Sequence, residues 1–316
     1  MTNHPNFFIV GAPKCGTTTL YETLRQHPRV FMPFDKQNYW ITKEPGYFCP
    51  ELIARGNLAI DNLSSYLQLF ADAQGEDRIG EASALYLFSK TAARSIAEFC
   101  PAAKIIVMIR EPVAMMQAWH ADNLRHGHDD VLSFQQAIEL EPMRQQGQSI
   151  PAGSGYPLCL QYRAMASFSQ QIERYLSVFG REQIKVILLE DMAAAPRATL
   201  NTVLEFLGLE TGYPAELSVY NERVALTQGQ WLKHRIKNRL RGFIMVRWAR
   251  RWFPANFDKW LEIGLAPLLR QQSVSVPPRP AFLNKLRQEM ANEVERVAAL
   301  IDRDLSHWQS PANASM

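Results

Sequence analysis

The stretch FFIVGAPKCGTTTLYETLRQHP, residues 7–28, restricts the fold more than any other part of the chain. Four apolar residues run without a polar break, a glycine-bearing turn follows, and an amphipathic helical pattern begins at Thr17. An unbroken apolar run marks a strand buried on both faces, and a strand that passes straight into a helix is half of a parallel βαβ unit. The rhythm returns in RIGEA (78–82), KIIVMIR (104–110) and QIKVILLE (183–190). Helical patterns occupy 17–27, 63–72, 89–99, 112–125, 157–179 and 196–208, with Pro112 and Pro196 suited to first helical turns and Ser89 to a cap. IPAGSGYP at 150–157 is a loop. The expected fold is α/β, a central parallel sheet with helices on both faces.

From about 226 to 280 the chain turns basic and rich in tryptophan, without a strand-like run, and reads as a cap of short helices. A long helix closes the chain, from RPAFLNKL to LSHW. At 316 residues, the expected organisation is a single domain, 1–316, carrying that cap. A net charge of +3 gives no ground for nucleic-acid binding. No signal peptide is read at the N-terminus, and the longest apolar runs are far too short to cross a bilayer. Cys15, Cys49, Cys100 and Cys159 are scattered with no CxxC pair, which argues against a zinc site or a disulfide framework. No metal is expected, and the location expected is cytoplasmic.

A turn between strand and helix directs several backbone N–H groups into one small space at the positive end of the helix dipole. Gly16 lets the chain approach an oxyanion closely, Thr17, Thr18 and Thr19 add hydroxyls, and Lys14 supplies a cation on the loop. A P-loop-like nucleotide site is the reading, yet its lysine is displaced. The ATP and GTP version requires GxxxxGK[ST]; here Gly11 and Gly16 keep the spacing and Thr17 stands where that lysine belongs. A kinase or NTPase is therefore the weaker reading.

GAPKCGTTTL resembles the 5′-phosphosulfate loop of sulfotransferases that use 3′-phosphoadenosine 5′-phosphosulfate (PAPS), with Pro13, Lys14, Gly16, Thr17, Thr18 and Leu20 matching PKxGTTxL. IIVMIREPVAMMQAWH is similar to that family's 3′-phosphate segment. FSQQIERYLSVFGREQIKVILLEDMAAAPRATLNTVLEFLGL resembles its third segment, and LIDRDLSHW its usual ending. The likeness covers nearly all of the chain outside the cap and is nearest to the bacterial branch similar to heparan sulfate sulfotransferases. It implies sulfuryl transfer from PAPS to a hydroxyl or an amine, with 3′,5′-ADP as product and a carbohydrate or small natural product as acceptor.

The resemblance implies a role for each matching residue. Lys14 stabilises the leaving phosphate oxygen, on which charge develops as the bond breaks. Cys15, Gly16, Thr17, Thr18 and Thr19 hold the 5′-phosphate, and Arg110 the 3′-phosphate. The family pairs that arginine with a serine eight residues on; here the position is Ala118, which leaves Gln117 or Asn123 as substitutes with no basis to choose. TKEPGYF at 42–48 resembles the K-E-x-x-F stretch that carries a catalytic glutamate, which makes Glu44 the first general base. A free glutamate titrates well below neutral pH, so partial burial is expected to raise it. Glu81 in GEASALY, with Ala84 in place of the family's proline, is a site-shaping residue or second base, and His120 is the third. The Pro-Arg-Ser triplet with which the family closes a loop over the nucleotide is missing from 221–231, where Arg223 is a loose match.

The basic cap suits the wall of a cleft for an acidic or sugar acceptor, and this is preferred to contact with a membrane surface. A nucleotide-binding module that kept the fold and lost the reaction is the non-enzymatic alternative. Stabilisation by 3′,5′-ADP without magnesium, against Mg-ATP, separates these readings.

Overall fold

The computed structural model describes residues 3–53, 60–218 and 276–309. Most of the expected cap, and Arg223, lie outside the described residues. Those described fall into two compact units. One comprises 3–53, 60–115, 167–218 and 289–309; the other comprises 116–166 and 276–288.

The first unit is built on a parallel sheet of β1 (Phe7–Gly11), β2 (Val30–Phe31), β3 (Arg78–Glu81), β4 (Lys104–Ile109) and β5 (Ile184–Leu188). Their order is β2-β3-β1-β4-β5. Phe7 through Val10 and Ile105 through Ile109 are wholly buried, as strands covered on both faces must be. The four expected strands are present to within two residues. β2 was not expected: two residues carry no periodicity, and the pairing of Val30 with Arg78 and Phe31 with Ile79 defines it.

β1 lies between β3 and β4, with Phe7 opposite both Gly80 and Lys104. The chain leaves β1 toward β2 through α1 (Thr17–Leu24), and passes from β3 to β4 in the other direction through α4 (Ala92–Phe99). Right-handed crossovers in opposite directions put α1 and α4 on opposite faces. The strand order therefore reverses around β1, and the loops after β1 and β4 lie side by side at the carboxyl edge. In open α/β sheets that crevice receives the ligand.

Between these elements lie α2 (Tyr39–Lys43) and α3 (Leu63–Gln68). Ser89 Oγ accepts from the N–H groups of Thr91 and Ala92 and so caps α4. α5 (Pro112–His126) runs from the first unit into the second.

The second unit contains α6 (Phe134–Glu139), α7 (Glu141–Gln145) and α8 (Tyr162–Met165). Among its buried apolar residues it encloses an ion pair. Arg144 donates twice to Asp129, at 2.8 and 2.7 Å, and the Tyr162 hydroxyl donates to Asp129 Oδ2 at 2.6 Å. Burial works against the Asp129 carboxylate, but the arginine and the tyrosine outweigh it and hold its pKa below the ordinary range.

The helix expected over 157–179 is broken. A 3-10 turn (Pro157–Leu160) and α8 precede α9 (Phe168–Leu176), which belongs to the first unit. Glu293 supplies the reason for the last break, since its carboxylate accepts from Ser169 N at 2.6 Å and Ser169 Oγ at 2.7 Å. An anion against the first turn favours a new helix start there. α10 (Leu189–Ala194) and α11 (Pro196–Phe206) follow β5. The closing helix is also divided, into α12 (Pro280–Glu289) and α13 (Ala291–Ile301), with the buried Met290 between them at φ −89° and ψ 1°. Asp302, in the left-handed region at φ 53°, ends α13. All four cysteines are buried as free thiols.

Candidate functional site

The loop after β1 is fixed by sterics. Gly11 has φ 141°, and a Cβ there would overlap the carbonyl of Ala84. Gly16, at φ 88°, caps α1, and a Cβ would come 2.8 Å from Leu189 Cδ1. Between them Lys14 adopts φ 62°, a left-handed conformation that a lysine enters only at a cost of about 1 kcal/mol or more. Sparse conformations of this kind collect where a loop must aim several groups at one point.

Neighbouring strands hold the loop in place. Ala12 N donates to Met108 O at 2.6 Å, on β4, and Arg110 Nη1 donates to Lys14 O at 3.3 Å. Thr17 is buried, Thr18 and Thr19 are half-buried, and Leu20 N donates to Gly16 O, closing the first turn of α1. The first N–H groups of a helix have no intrahelical acceptor, so α1 brings donors to the loop. Cys15 is fully buried. Burial drives its thiol pKa far up, so it is neutral and contributes backbone rather than charge.

Arg110 follows β4 directly. Its Nε is buried and has no hydrogen-bond acceptor, and among the described residues its side chain bonds to Lys14 O. A buried guanidinium nitrogen without an acceptor is costly, and an anionic oxygen beside it removes the cost. The next residue, Glu111, caps α5 by accepting from Val113 N and Ala114 N, while its own N–H donates to Glu190 Oε1 at 3.2 Å. Glu190 follows β5 at the same edge, and its Oε2 is buried without a partner.

A second cluster stands at the carboxyl end of β3. Glu44 closes the short helix α2 and is about one-third exposed. Its Oε1 accepts from Lys43 Nζ at 2.6 Å, and Lys43 has no exposed side chain. Glu81, the last residue of β3, is completely buried, and neither carboxyl oxygen has a hydrogen bond of ordinary geometry. Burial pushes its pKa up to about 8. The Tyr86 and Tyr66 hydroxyls beside it oppose that shift, the charge of Glu44 adds to it, and Lys43 opposes it. Tyr39 completes the cluster by donating to Glu22 Oε1 at 2.7 Å.

The structure thus brings together Lys14, Cys15, Gly16, Thr17, Thr18, Thr19 and Arg110 on two adjacent strand ends, and sets Glu44 beside the end of the third, where Glu81 sits. His120 and Ala118 belong to the second unit. His120 is buried between Phe134 and Tyr162 and donates through Nε2 to Val131 O at 2.8 Å. Burial lowers its pKa, with Asp129 and the Val131 carbonyl pulling the other way. Asn123 lies in that unit too, its carbonyl accepting from His128 N and Asp129 N at the end of α5. Sequence reasoning passed over Lys43 and Glu190 as individuals. The signal was available in both cases: Lys43 precedes Glu44 in TKEPGYF, and Glu190 follows an apolar strand.

Residues 4–243 match the sulfotransferase domain family. Carbohydrate sulfotransferase 15 of Mus musculus is 28% identical over a region covering 65% of this chain and 44% of that protein. Human bifunctional heparan sulfate N-deacetylase/N-sulfotransferase 2 is 27% identical, over 65% of this chain and 22% of its own length. The chain therefore spans less than half the length of these curated relatives. Among solved structures, a sulfotransferase from Alicyclobacillus acidocaldarius superposes with a TM-score of 0.69 at 28% identity, over 97% of this chain and 99% of that one. With the family matched over most of its length and the same parallel sheet beneath its loop, this chain belongs to the sulfotransferase domain family.

Proposed function

We propose that the chain acts as a single sulfotransferase domain, moving a sulfuryl group from PAPS to a hydroxyl or amine of a carbohydrate or small natural-product acceptor. The observation that carries this is the meeting of Lys14 and Arg110 at the carboxyl edge of β1 and β4, where the buried Arg110 Nε lacks an acceptor. That arrangement suits a nucleotide with phosphates at both ends of its ribose. The loop at 12–19 receives the 5′-phosphosulfate, and Arg110 receives the 3′-phosphate through parallel hydrogen bonds.

In the reaction the acceptor oxygen or nitrogen attacks sulfur as the bond from sulfur to the phosphate oxygen breaks. The electron pair of that bond stays with 3′,5′-ADP, where Lys14 and the α1 donors stabilise it. The acceptor's proton passes to Glu44, whose Oε2 accepts no hydrogen bond among the described residues. Glu81, neutral at pH 7 by virtue of its burial, shapes the floor beneath Glu44 rather than taking the proton. Free buried thiols suit a reducing interior, which supports a cytoplasmic location. No helix of the described residues is long and apolar enough to cross a membrane.

The test is mass spectrometry of candidate glycans and small hydroxylated or amino compounds incubated with PAPS. The expected result is an acceptor that gains one sulfo group, with 3′,5′-ADP released and no magnesium required. Absence of transfer from PAPS, with stabilisation by Mg-ATP and not by 3′,5′-ADP, would overturn the proposal.

A further inference from the structure

Lys43 is a charged side chain for which the fold provides almost no solvent. Its exposure is 0%, and its ammonium has three protons to place. Its partners among the described residues are few. Glu44 Oε1 lies at 2.6 Å, the carbonyl of Ala82 at the long distance of 3.4 Å, and the rings of Tyr21 and Trp40 each at 5.9 Å. Taking an ammonium out of water costs several kcal/mol, and a methionine of similar length would fill the same space without that cost.

The strong interaction runs to Glu44. A charge-assisted bond of this length far outweighs the weak contact with Ala82, and the aromatic rings add the modest attraction expected near the limit of cation–π range. Left alone, Glu44 would be a partly exposed glutamate at the end of a short helix, free to sample many rotamers. With Oε1 held, its carboxylate has one orientation and one open oxygen. Glu81 makes no hydrogen bond to the ammonium, since both of its buried carboxyl oxygens stand without a hydrogen-bond partner. The ammonium is therefore committed to one carboxylate.

We propose that Lys43 is a positioning residue for the transfer reaction, its buried ammonium clamping Glu44 through Oε1 so that Oε2 is presented as the basic oxygen. This rests on the reading of Glu44 as general base given above. Misplacing a catalytic group by a fraction of its reach costs up to about a hundredfold in rate, which sets the scale of the effect.

The experiment is a double-mutant cycle of Lys43→Met and Glu44→Gln, assayed for sulfation of the acceptor that gains a sulfo group from PAPS. The Michaelis constant for PAPS and the thermal shift by 3′,5′-ADP are measured in parallel. Lys43→Met is expected to lower kcat by roughly tenfold to a hundredfold, with the PAPS constant and the shift by 3′,5′-ADP unchanged. In the Glu44→Gln background the same substitution is expected to change kcat less than about twofold, because its effect acts through Glu44. Lys43→Arg, which keeps the charge, is expected to recover part of the rate. Undiminished kcat in Lys43→Met would overturn the proposal, as would an equal loss in both backgrounds. Loss of the 3′,5′-ADP shift in both Lys43→Met and Lys43→Arg would assign Lys43 a structural role and overturn it as well. Full activity in Glu44→Gln would remove the general base itself, whereas a slow Glu44→Gln beside an unaffected Lys43→Met would remove only the clamp.

Discussion

Arg110 Nη1 donates to the backbone carbonyl of Lys14 across 3.3 Å, joining residues 96 positions apart in the chain. The bond holds a guanidinium against the loop that carries the other cation, and its donor comes from the adjacent strand end. A substitution at either residue is therefore felt in the geometry of the other, although their tasks differ. In the proposed reaction Lys14 answers charge that appears during bond breaking, and Arg110 answers charge present throughout.

Lys14→Ala is expected to reduce turnover far more than it weakens binding of 3′,5′-ADP. Alanine faces the same left-handed conformation at φ 62°, so the loop keeps its shape while the cation is lost. Single-turnover kinetics and 3′,5′-ADP titration check this; a variant with its maximal rate intact and only its binding impaired would contradict the catalytic role.

Arg110→Ala is expected to abolish the preference for 3′,5′-ADP over 5′-AMP. Hydrogen bonds to a charged partner contribute about 1.5–3 kcal/mol, which corresponds to roughly tenfold to a hundredfold in affinity. Ala118 provides no hydroxyl to share the task. Isothermal titration with both nucleotides reads the difference, and an unchanged preference would move 3′-phosphate recognition elsewhere.

Glu44→Gln is expected to slow acceptor sulfation by about a hundredfold or more, the scale of a lost general base. The proposed nucleotide contacts lie on the loop and Arg110, so the thermal shift by 3′,5′-ADP is expected to remain. If the variant sulfates at the wild-type rate, Glu81 is the residue to change next.

Glu81→Gln is expected to raise the melting temperature at pH 8 and to leave it nearly unchanged at pH 4. The folded pKa of Glu81, about 8, lies above the value of 4.5 for a free carboxyl. Above pH 4.5 the unfolded chain has lost a proton that the folded chain still holds. Stability then falls as pH rises from 4.5, and it levels off only above about 8. Glutamine does not titrate and removes this dependence. Parallel melting curves in wild type and variant would count against the burial argument.

Arg144→Met is expected to destabilise the second unit by about 3–5 kcal/mol, since it strands the Asp129 carboxylate in the interior. Arg144→Met with Asp129→Asn is expected to recover part of that loss. His120 adds a dependence of its own. Its folded pKa is depressed, so stability is expected to fall as pH drops below the free value of 6.5. Chemical denaturation at pH 7 and pH 5.5 measures both effects.

The strands β1 and β4 could be read from the sequence because each is an apolar run closed by polar or glycine residues, and burial on both faces leaves that pattern. β5 shows it less purely, with Lys185 inside the run, and β3 has only Ile79 and its flanking Gly80 to mark it. β2 could not be read, because two residues have no pattern of their own. The breaks around α8 and α9 were hidden for a different reason. Their apolar spacing continues through the interruption, and the new start at Phe168 depends on Glu293, more than a hundred residues away. The loop from Gly11 to Thr19 was legible because local chemistry writes it: glycines where a Cβ would clash, hydroxyls and a lysine between them. The pairing of Lys43 with Glu44 was not, since a lysine beside a glutamate in sequence ordinarily lies in solvent. Only the fold reveals that its ammonium is enclosed.

The central position of β1 has a consequence for how the protein forms. β1 is the first strand in the chain, yet both its neighbours are contributed from far downstream, Gly80 opposite Phe7 on one side and Ile105 opposite Phe8 on the other. β4 in turn pairs with β5, Ile105 against Ile184. Every parallel partnership in this sheet requires a large loop to close before any hydrogen bond rewards it, a topology of high contact order. The loop from Gly11 to Thr19, held by Met108 and Arg110 behind it, therefore takes shape late. An N-terminal segment emerging from the ribosome holds the motif in its sequence and not yet the site, which becomes competent only when strands synthesised much later have closed on either side of it.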